Sequence, residues 1–442
     1  MHPMRLSLLL LALSLAPLAS AQTANASLTG VVRDPTNVPV PSARVRLVNE
    51  ATNLERRSLT TDTGNYTIPA LPPGSYRLEV EANGFKKAIV SGILLEVAQQ
   101  ARTDVSVEIG QVTESVTVTT QTPLLETESN VIGNVVTSKS ITSIPLNGRN
   151  FMELVTLAGA TNAGNNATAK NTSLAGTSRG LAPSVAGAPA TENNYQLDGT
   201  DNREPFFNSY GLAPSVDAVR EFKIQVGQYS AEYGAGGGAV INVVTRSGTN
   251  EFHGTAFEFV RNDVFDARNT FLTPTQKINA LRRNQFGVSA GGPVYIPKIY
   301  NGKDRTFIFG NFDLVRQRTA SLRTSVVPTE AQRTGNLAGL NRVNDPFAAD
   351  APFPNNVIPT SRIDPISARL VQQYPRANNP AGAQNYFNNI PALGDQDTWL
   401  LRGDHRIANG HEFTARYADQ KLYTFNPGPV PNFGGFASTP TI

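Results

Sequence analysis

Val219 to Gly254 reads VREFKIQVGQYSAEYGAGGGAVINVVTRSGTNEFHG. Two β-type runs sit here, Phe222–Val226 and Ala239–Thr245, both rich in β-branched or aromatic residues. Between them lies Gly234-Ala235-Gly236-Gly237-Gly238, where missing side chains allow tight turns and close backbone approach. Ser247-Gly248-Thr249-Asn250 is a turn cluster. A new alternation then begins at Phe252. One face carries Thr255, Phe257 and Phe259; the other carries Gly254, Ala256, Glu258 and Asn262. An apolar face set against a small and polar one suits a strand between lipid and a wet lumen.

Read alone, a glycine cluster is equally a linker or a phosphate loop. No G-K-[ST] follows it, which weakens the phosphate reading. The V-R-E-F-K-I-Q-V run, the S-A-E-Y-G-A-G-G-G-A-V-I-N-V-V-T segment and the S-G-T-N-E-F-H-G exit together resemble TonB-dependent outer-membrane receptors. They match the end of the plug domain and the first barrel strand, in the Oar-like branch that carries an extra sandwich domain in front.

Composition agrees with a turn-rich β protein. Charged residues are 17%, below the usual quarter, and there are 36 Gly and 30 Pro. The formal net charge is only +3, and no basic run or aromatic-interleaved basic patch points to nucleic acid. Cysteine is absent, which excludes disulfides, thiol chemistry and Cys-ligated metal. Arg5, the apolar run Leu6–Leu15 and Ala19-Ser20-Ala21 have the layout of a Sec signal peptide over residues 1–21. No other run reaches the roughly 18 apolar residues of a membrane helix, so membrane residence requires a β-barrel.

Residues 22–110 alternate with period two between frequent turns. Leu28 and Val32, Val45 and Leu47, Tyr66 and Ile68, and Tyr76, Leu78 and Val80 mark strands. Val105, Val107 and Ile109 fall on one face of the last. Short strands at this spacing predict an antiparallel sandwich. The segment D-T-G-N-Y-T-I-P-A-L-P-P-G-S-Y-R-L-E-V-E-A-N-G-F resembles a carboxypeptidase-regulatory-like, transthyretin-type module. No enzyme is expected. The only histidines are His2, His253, His405 and His411, without H-E-x-x-H spacing, so no metal, cofactor or catalytic set is assigned.

Residues 111–122 read as a linker. Within it, Glu114, Ser115, Val116, Thr117, Val118, Thr119 and Thr120 form a short alternating run before Pro123. Such a run can add to another protein's sheet edge. It resembles a TonB box, which implies a TonB-type energy-transducing partner. The alternative is that it is only the sandwich's last strand or its exit linker; its position just before the plug favours the box.

Residues 123–250 read as a mixed α/β domain, the plug by resemblance. Helical or turn segments are expected at Ser138–Ile144, Met152–Ala158 and Ala213–Val216, and a loop at 160–189. Tyr195–Asp201 reads as strand then turn, Asp198 and Asp201 being turn residues more cheaply than paired acids. In residues 251–442, strands are expected near 252–262, 284–294, 306–316, 398–407 and 411–421. Asn409-Gly410 is a hairpin signal. Arg402-Gly403-Asp404 matches an adhesion tripeptide by chance.

The fold class is therefore mainly β: a transthyretin-like sandwich, a mixed α/β plug, then the first strands of an incomplete transmembrane barrel. Outer-membrane transporters close with about 22 strands, so a piece of a longer chain is expected. The function the resemblance implies is energy-coupled uptake across the outer membrane of Gram-negative cells, with the sandwich periplasmic. The external ligand stays open among siderophore, carbohydrate and peptide. A surface adhesion or structural protein is the alternative, and a secreted hydrolase is a weaker one.

Overall fold

The computed structural model describes residues 25–111, 115–119, 131–146, 148–157, 161–162, 183–205, 209–227, 229, 233–234, 236–268, 270, 279–320, 323–379, 384–389, 391–408, 411–426, 428, 430 and 436–438. The expected signal peptide and the Asn409-Gly410 turn lie outside them.

Alternation over short runs builds two sheets whose apolar faces meet. The first holds β1 (Ala26–Arg33), β4 (Asn65–Leu71), β7 (Gln100–Arg102) and β8 (Val105–Ser106). The second runs β3 (Glu55–Leu59), β2 (Arg44–Asn49), β5 (Gly74–Glu81), β6 (Lys87–Leu95) and β9 (Ser115–Thr119). In β5, Tyr76, Leu78 and Val80 are fully buried, and the β2–β5 register sets Leu47 beside Leu78 and Val45 beside Val80. Each such side chain contributes about 1.5–3 kcal/mol by leaving water. Ile109 does not continue the face of Val105 and Val107; it is 72% exposed.

The central domain is a five-stranded sheet, ordered β10 (Ile132–Thr137), β17 (Val219–Val226), β18 (Ala239–Thr245), β13 (Asn194–Leu197) and β14 (Thr200–Asp201). Short pairs accompany it: β11 (Thr161–Asn162) with β12 (Ser184–Val185), and β15 (Arg203–Glu204) with β16 (Ser209–Tyr210). β18 is buried along its whole length, as an apolar run covered on both faces must be. Phe222 and Ile224 pack with Ile141 of α1 (Ser138–Ser143) and with Phe151, Leu154 and Val155 of a 3-10 turn over Phe151–Leu157. Ala213–Val216 is not helical: Ala218 and Val219 N–H both bond the Ser215 carbonyl in a turn that feeds β17 directly. Too few residues remain there to offset helix nucleation.

The glycine cluster is a close approach. A Cβ on Gly236 would lie 2.0 Å from the Glu192 carbonyl oxygen, and one on Gly238 would lie 2.5 Å from Asn193 Oδ1. That Oδ1 accepts the Ala239 N–H at 3.0 Å, holding the entry to β18.

Long strands follow, in the order β19 (His253–Asn262), β20 (Leu281–Pro293), β23 (Thr306–Thr319), β28 (Ala392–Ala408), β29 (His411–Asn426) and β30 (Phe436–Ser438). A hairpin tip, β21 (Tyr295–Ile296) with β22 (Tyr300–Asn301), joins β20 to β23. The excursion between β23 and β28 carries β24 (Arg323–Ser325) paired with β27 (Tyr386–Asn388), and β25 (Asn344–Asp345) paired with β26 (Ala351–Pro352). It also holds α2 (Glu330–Arg333) and α3 (Pro365–Gln373). The chain divides into two compact units, residues up to 255 with 288–312 and 398–419, and the remainder.

The buried face of these strands mixes polar side chains with Phe307, Phe309, Val315 and Leu400, while large apolar side chains stand exposed on the other face. In β20, Gln285 and Ser289 are buried while Phe286 and Val288 are 39% and 49% exposed. In β23, Asn311, Asp313 and Gln317 are buried; in β28, Thr398 is buried while Trp399 and Leu401 are each 50% exposed. Gln285 Nε2 donates to the Asp313 carboxylate at 3.2 Å. Phe312 and Trp399 stack with ring centroids 3.9 Å apart. Further along, the residues of the same alternation turn to ion pairs, Arg316 with Asp397 at 2.6 Å and Arg318 with Asp395. Cross-strand ion pairs need no apolar alternation, so β23 and β28 extend beyond the ends that hydrophobic period predicts.

Replacing Gly236 by Ala is expected to lower stability by about 1–3 kcal/mol through overpacking. Gly237, whose Cβ would meet nothing within 4 Å, is expected to tolerate Ala within about 0.5 kcal/mol. Pulse proteolysis in urea compares the two; equal losses would refute the close-approach account.

Candidate functional site

Asp198 and Gly199 form the β13–β14 turn with φ of 50° and 79°, the left-handed pair that a tight hairpin demands. The turn aims the Asp198 carboxylate at β18, where it accepts the Thr245 N–H and hydroxyl, each at 2.8 Å. Two guanidinium groups complete the site. Arg402 of β28 reaches Asp198 at 3.3 Å, and Arg416 of β29 reaches it at 2.5 Å. Arg402 also holds Asp404 at 3.1 Å and donates to the Thr245 carbonyl at 3.2 Å. Asp404 in turn accepts from Ser247 at 2.6 Å and from Thr414 at 2.8 Å. Charges taken this far from water persist only when paired and hydrogen-bonded. An apolar contact of Ala218 with Phe309 and Leu400 belongs to the same unit.

Asp201 does not join this network. It pairs with Arg203 two residues on, at 3.1 Å, which fits its reading as a turn residue. Arg402 and Asp404, the charged ends of the supposed chance tripeptide, lie at the centre. Local sequence offers no signal for this, because Asp198 and Arg402 are about two hundred residues apart.

A second contact joins the sandwich to the central sheet. Phe222 and Ile224 face the core, so Glu221, Lys223 and Gln225 face the other way and are nonetheless buried. Val97 N–H donates to Glu221 Oε1 at 2.5 Å, and Lys223 Nζ donates to the Ala98 carbonyl at 3.3 Å. Val97 and Val244 pack together there. Burial pushes the Glu221 carboxyl up to about 7, against the opposing pull of Arg220 and the Val97 N–H.

Of the residues expected to meet an energy-coupling partner, Ser115, Val116, Thr117, Val118 and Thr119 form β9. They pair in parallel with Lys87–Ser91 at the end of the second sandwich sheet. Val116 is half-buried and Thr117 exposed. Glu114 and Thr120 lie outside the described residues. Among the described histidines, His405 Nδ1 sits 2.7 Å from the Thr306 hydroxyl.

Residues 244–442 match the outer membrane beta barrel domain family, and residues 27–108 match the carboxypeptidase regulatory-like domain family. Over 291 residues the chain is 30% identical to the TonB-dependent transporter Oar of Myxococcus xanthus. The alignment covers 62% of this chain and 25% of the transporter, so the chain spans about a quarter of that relative's length. Among solved structures, the outer membrane transporter YddB from Escherichia coli is similar at a TM-score of 0.45 and 12% identity, over 70% of this chain and 35% of that one. The Bacillus anthracis TIE protein is similar at a TM-score of 0.17 and 20% identity, over 19% of this chain and 16% of that one.

Because the folded Glu221 carboxyl titrates above its unfolded value, its contribution is complete below about pH 4.5 and is lost as pH rises through about 7. The thermal midpoint of the protein is expected to fall across that window relative to Glu221→Gln, by on the order of a few degrees. Parallel profiles for the two proteins would show that Glu221 is not the titrating group.

Proposed function

We propose that this chain is the N-terminal part of a TonB-dependent outer-membrane transporter that takes up an external ligand by energy coupling. The observation that carries the reading is the inverted burial of the long strands together with the tie from Asp198 to Arg402 and Arg416. Polar side chains turned inward and aromatic ones turned outward suit a wet lumen and a lipid exterior. In this reading residues 1–21 direct export, the sandwich of residues 22–110 lies in the periplasm, and residues 123–250 are the plug. Outer-membrane lipid covers Phe286, Val288, Trp399 and Leu401.

The mechanism is mechanical. Residues 111–122 link sandwich to plug, and Glu114–Thr120 within them offers main-chain groups to a TonB-type protein. β9 ends its sheet, so a partner strand adding at that edge would be held by a ladder of hydrogen bonds. A pull along the ladder is shared by several bonds and reaches the plug through residues 121–131. Ion pairs such as those of Asp198 then give way to water more readily than apolar packing does. The chemistry is selective passage with no bond made or broken. The ligand class, whether siderophore, carbohydrate or peptide, belongs to surfaces beyond these elements.

Outer membranes carrying the full-length protein are expected to retain the purified periplasmic domain of a TonB-type protein. Retention should drop about tenfold or more for Val116→Pro and Val118→Pro, since each proline removes a ladder donor. Protease resistance of residues 27–108 monitors the sandwich in both variants. Undiminished retention by folded variants would overturn the coupling role of this segment, and recovery of the protein outside the outer membrane would overturn the transporter reading.

A further inference from the structure

Within the first compact unit lies a cavity of about 1150 Å³. Its wall is drawn from the sandwich turns at 49–56 and 70–73, from the central sheet at 198–200, 220 and 244–249, and from the strand ends at 305–309, 402–406 and 412–416. Seven arginines line it against three carboxylates. The carboxylates are already engaged: Asp198 by Arg402 and Arg416, Asp404 by Arg402, and Glu412 by Arg56 at 3.4 Å.

Four guanidinium groups therefore line the cavity without a carboxylate at ion-pair distance among the described residues, although Glu221 and Asp217 act on Arg220 and Arg246 from farther off. Arg246 is held only by neutral oxygens, the Val219 carbonyl at 3.3 Å and the Ser138 hydroxyl at 2.5 Å. Arg305 donates to the Arg406 carbonyl at 3.2 Å, and Arg406 to the Asn53 carbonyl at 3.3 Å. The Arg220 guanidinium makes no hydrogen bond among the described residues, and burial lowers its pKa. Arg406 Nε and Arg56 Nη1 are buried donors without an acceptor. The wall also makes room for this charge, because a Cβ on Gly74 would come within 3.0 Å of Arg220 Nη2.

Guanidinium groups gathered from three parts of the chain, Arg220 and Arg246 among them desolvated, make a focused positive potential that a counter-anion would stabilise. Their planar forks match phosphate and carboxylate oxygens. We infer that this cavity is a binding site for a soluble polyvalent oxyanion carrying two or more phosphoryl groups. A single monovalent anion would leave most of the surplus charge unmatched, and the cavity is larger than the roughly 300–1,000 Å³ typical of small-ligand sites. The inference does not depend on the transport reading.

Isothermal titration of the full chain in detergent with inorganic pyrophosphate, at fixed ionic strength, tests this. One saturable event is expected. Arg220→Gln and Arg406→Gln should each weaken it about tenfold or more, the scale of one charge-assisted hydrogen bond. Arg57→Gln, at an exposed arginine outside the cavity, should leave it unchanged. If Arg220→Gln does not fold, Arg305→Gln at an exposed turn gives the same reading. No saturable binding, equal binding in the cavity variants and wild type, or citrate bound in place of pyrophosphate would each overturn the assignment.

Discussion

A backbone crossing hydrocarbon must satisfy its own hydrogen bonds, and a strand there must put its apolar side chains outward. That constraint inverts the usual burial rule, and the middle of the long strands obeys the inverted form, although Phe307, Phe309 and Val315 of β23 are buried as well. Gln285, Asn311, Asp313 and Thr398 are hidden while Phe286, Val288, Trp399 and Leu401 are exposed. A water-soluble sandwich does the reverse, as Leu47 and Leu78 do in the front domain of the same chain. One chain thus contains both solutions, and the change occurs within the few residues after Thr245.

Those few residues explain why the central sheet and the strands are tied by charge. β18 is buried on both faces and apolar but for Asn242, and its last residue, Thr245, meets Asp198 through hydrogen bonds. The carboxylate is prearranged by a left-handed turn, so little rotamer freedom is lost when Arg402 and Arg416 close on it. An apolar patch of similar size would hold as firmly but would not favour one alignment so sharply. Directional bonds to two adjacent strands define a register, which suits a domain seated among strands.

The outward alternation ends in ion pairs rather than loops. Apolar side chains reach Leu314 and Trp399, after which Arg316, Arg318, Asp395 and Asp397 continue the pairing. A strand of about 9–11 residues suffices to span a bilayer. β23, β28 and β29, at 14, 17 and 16 residues, are longer than that, and their charged ends lie where water can solvate them.

Local patterning by itself determined the fold class, the sandwich strands and the phase of the long strands, because period two and turn chemistry are properties of neighbouring residues. It also marked the Gly234–Gly238 cluster as a place for close backbone approach, while the choice of Gly236 and Gly238 within it belongs to their contacts with Glu192 and Asn193. It stopped short where the stabilising partner is remote. The full extents of β23 and β28 rest on ion pairs between strands, and Ala213–Val216 is a turn because β17 claims the chain at once. The assignment of Ser115–Thr119 to the sandwich edge depends on pairing with Lys87–Ser91. The roles of Asp198, Arg402 and Arg416, and the gathering of Arg220, Arg246, Arg305 and Arg406 around one cavity, were decided by tertiary structure alone. Charge has no periodicity along the chain, and its partners are chosen by distance in space.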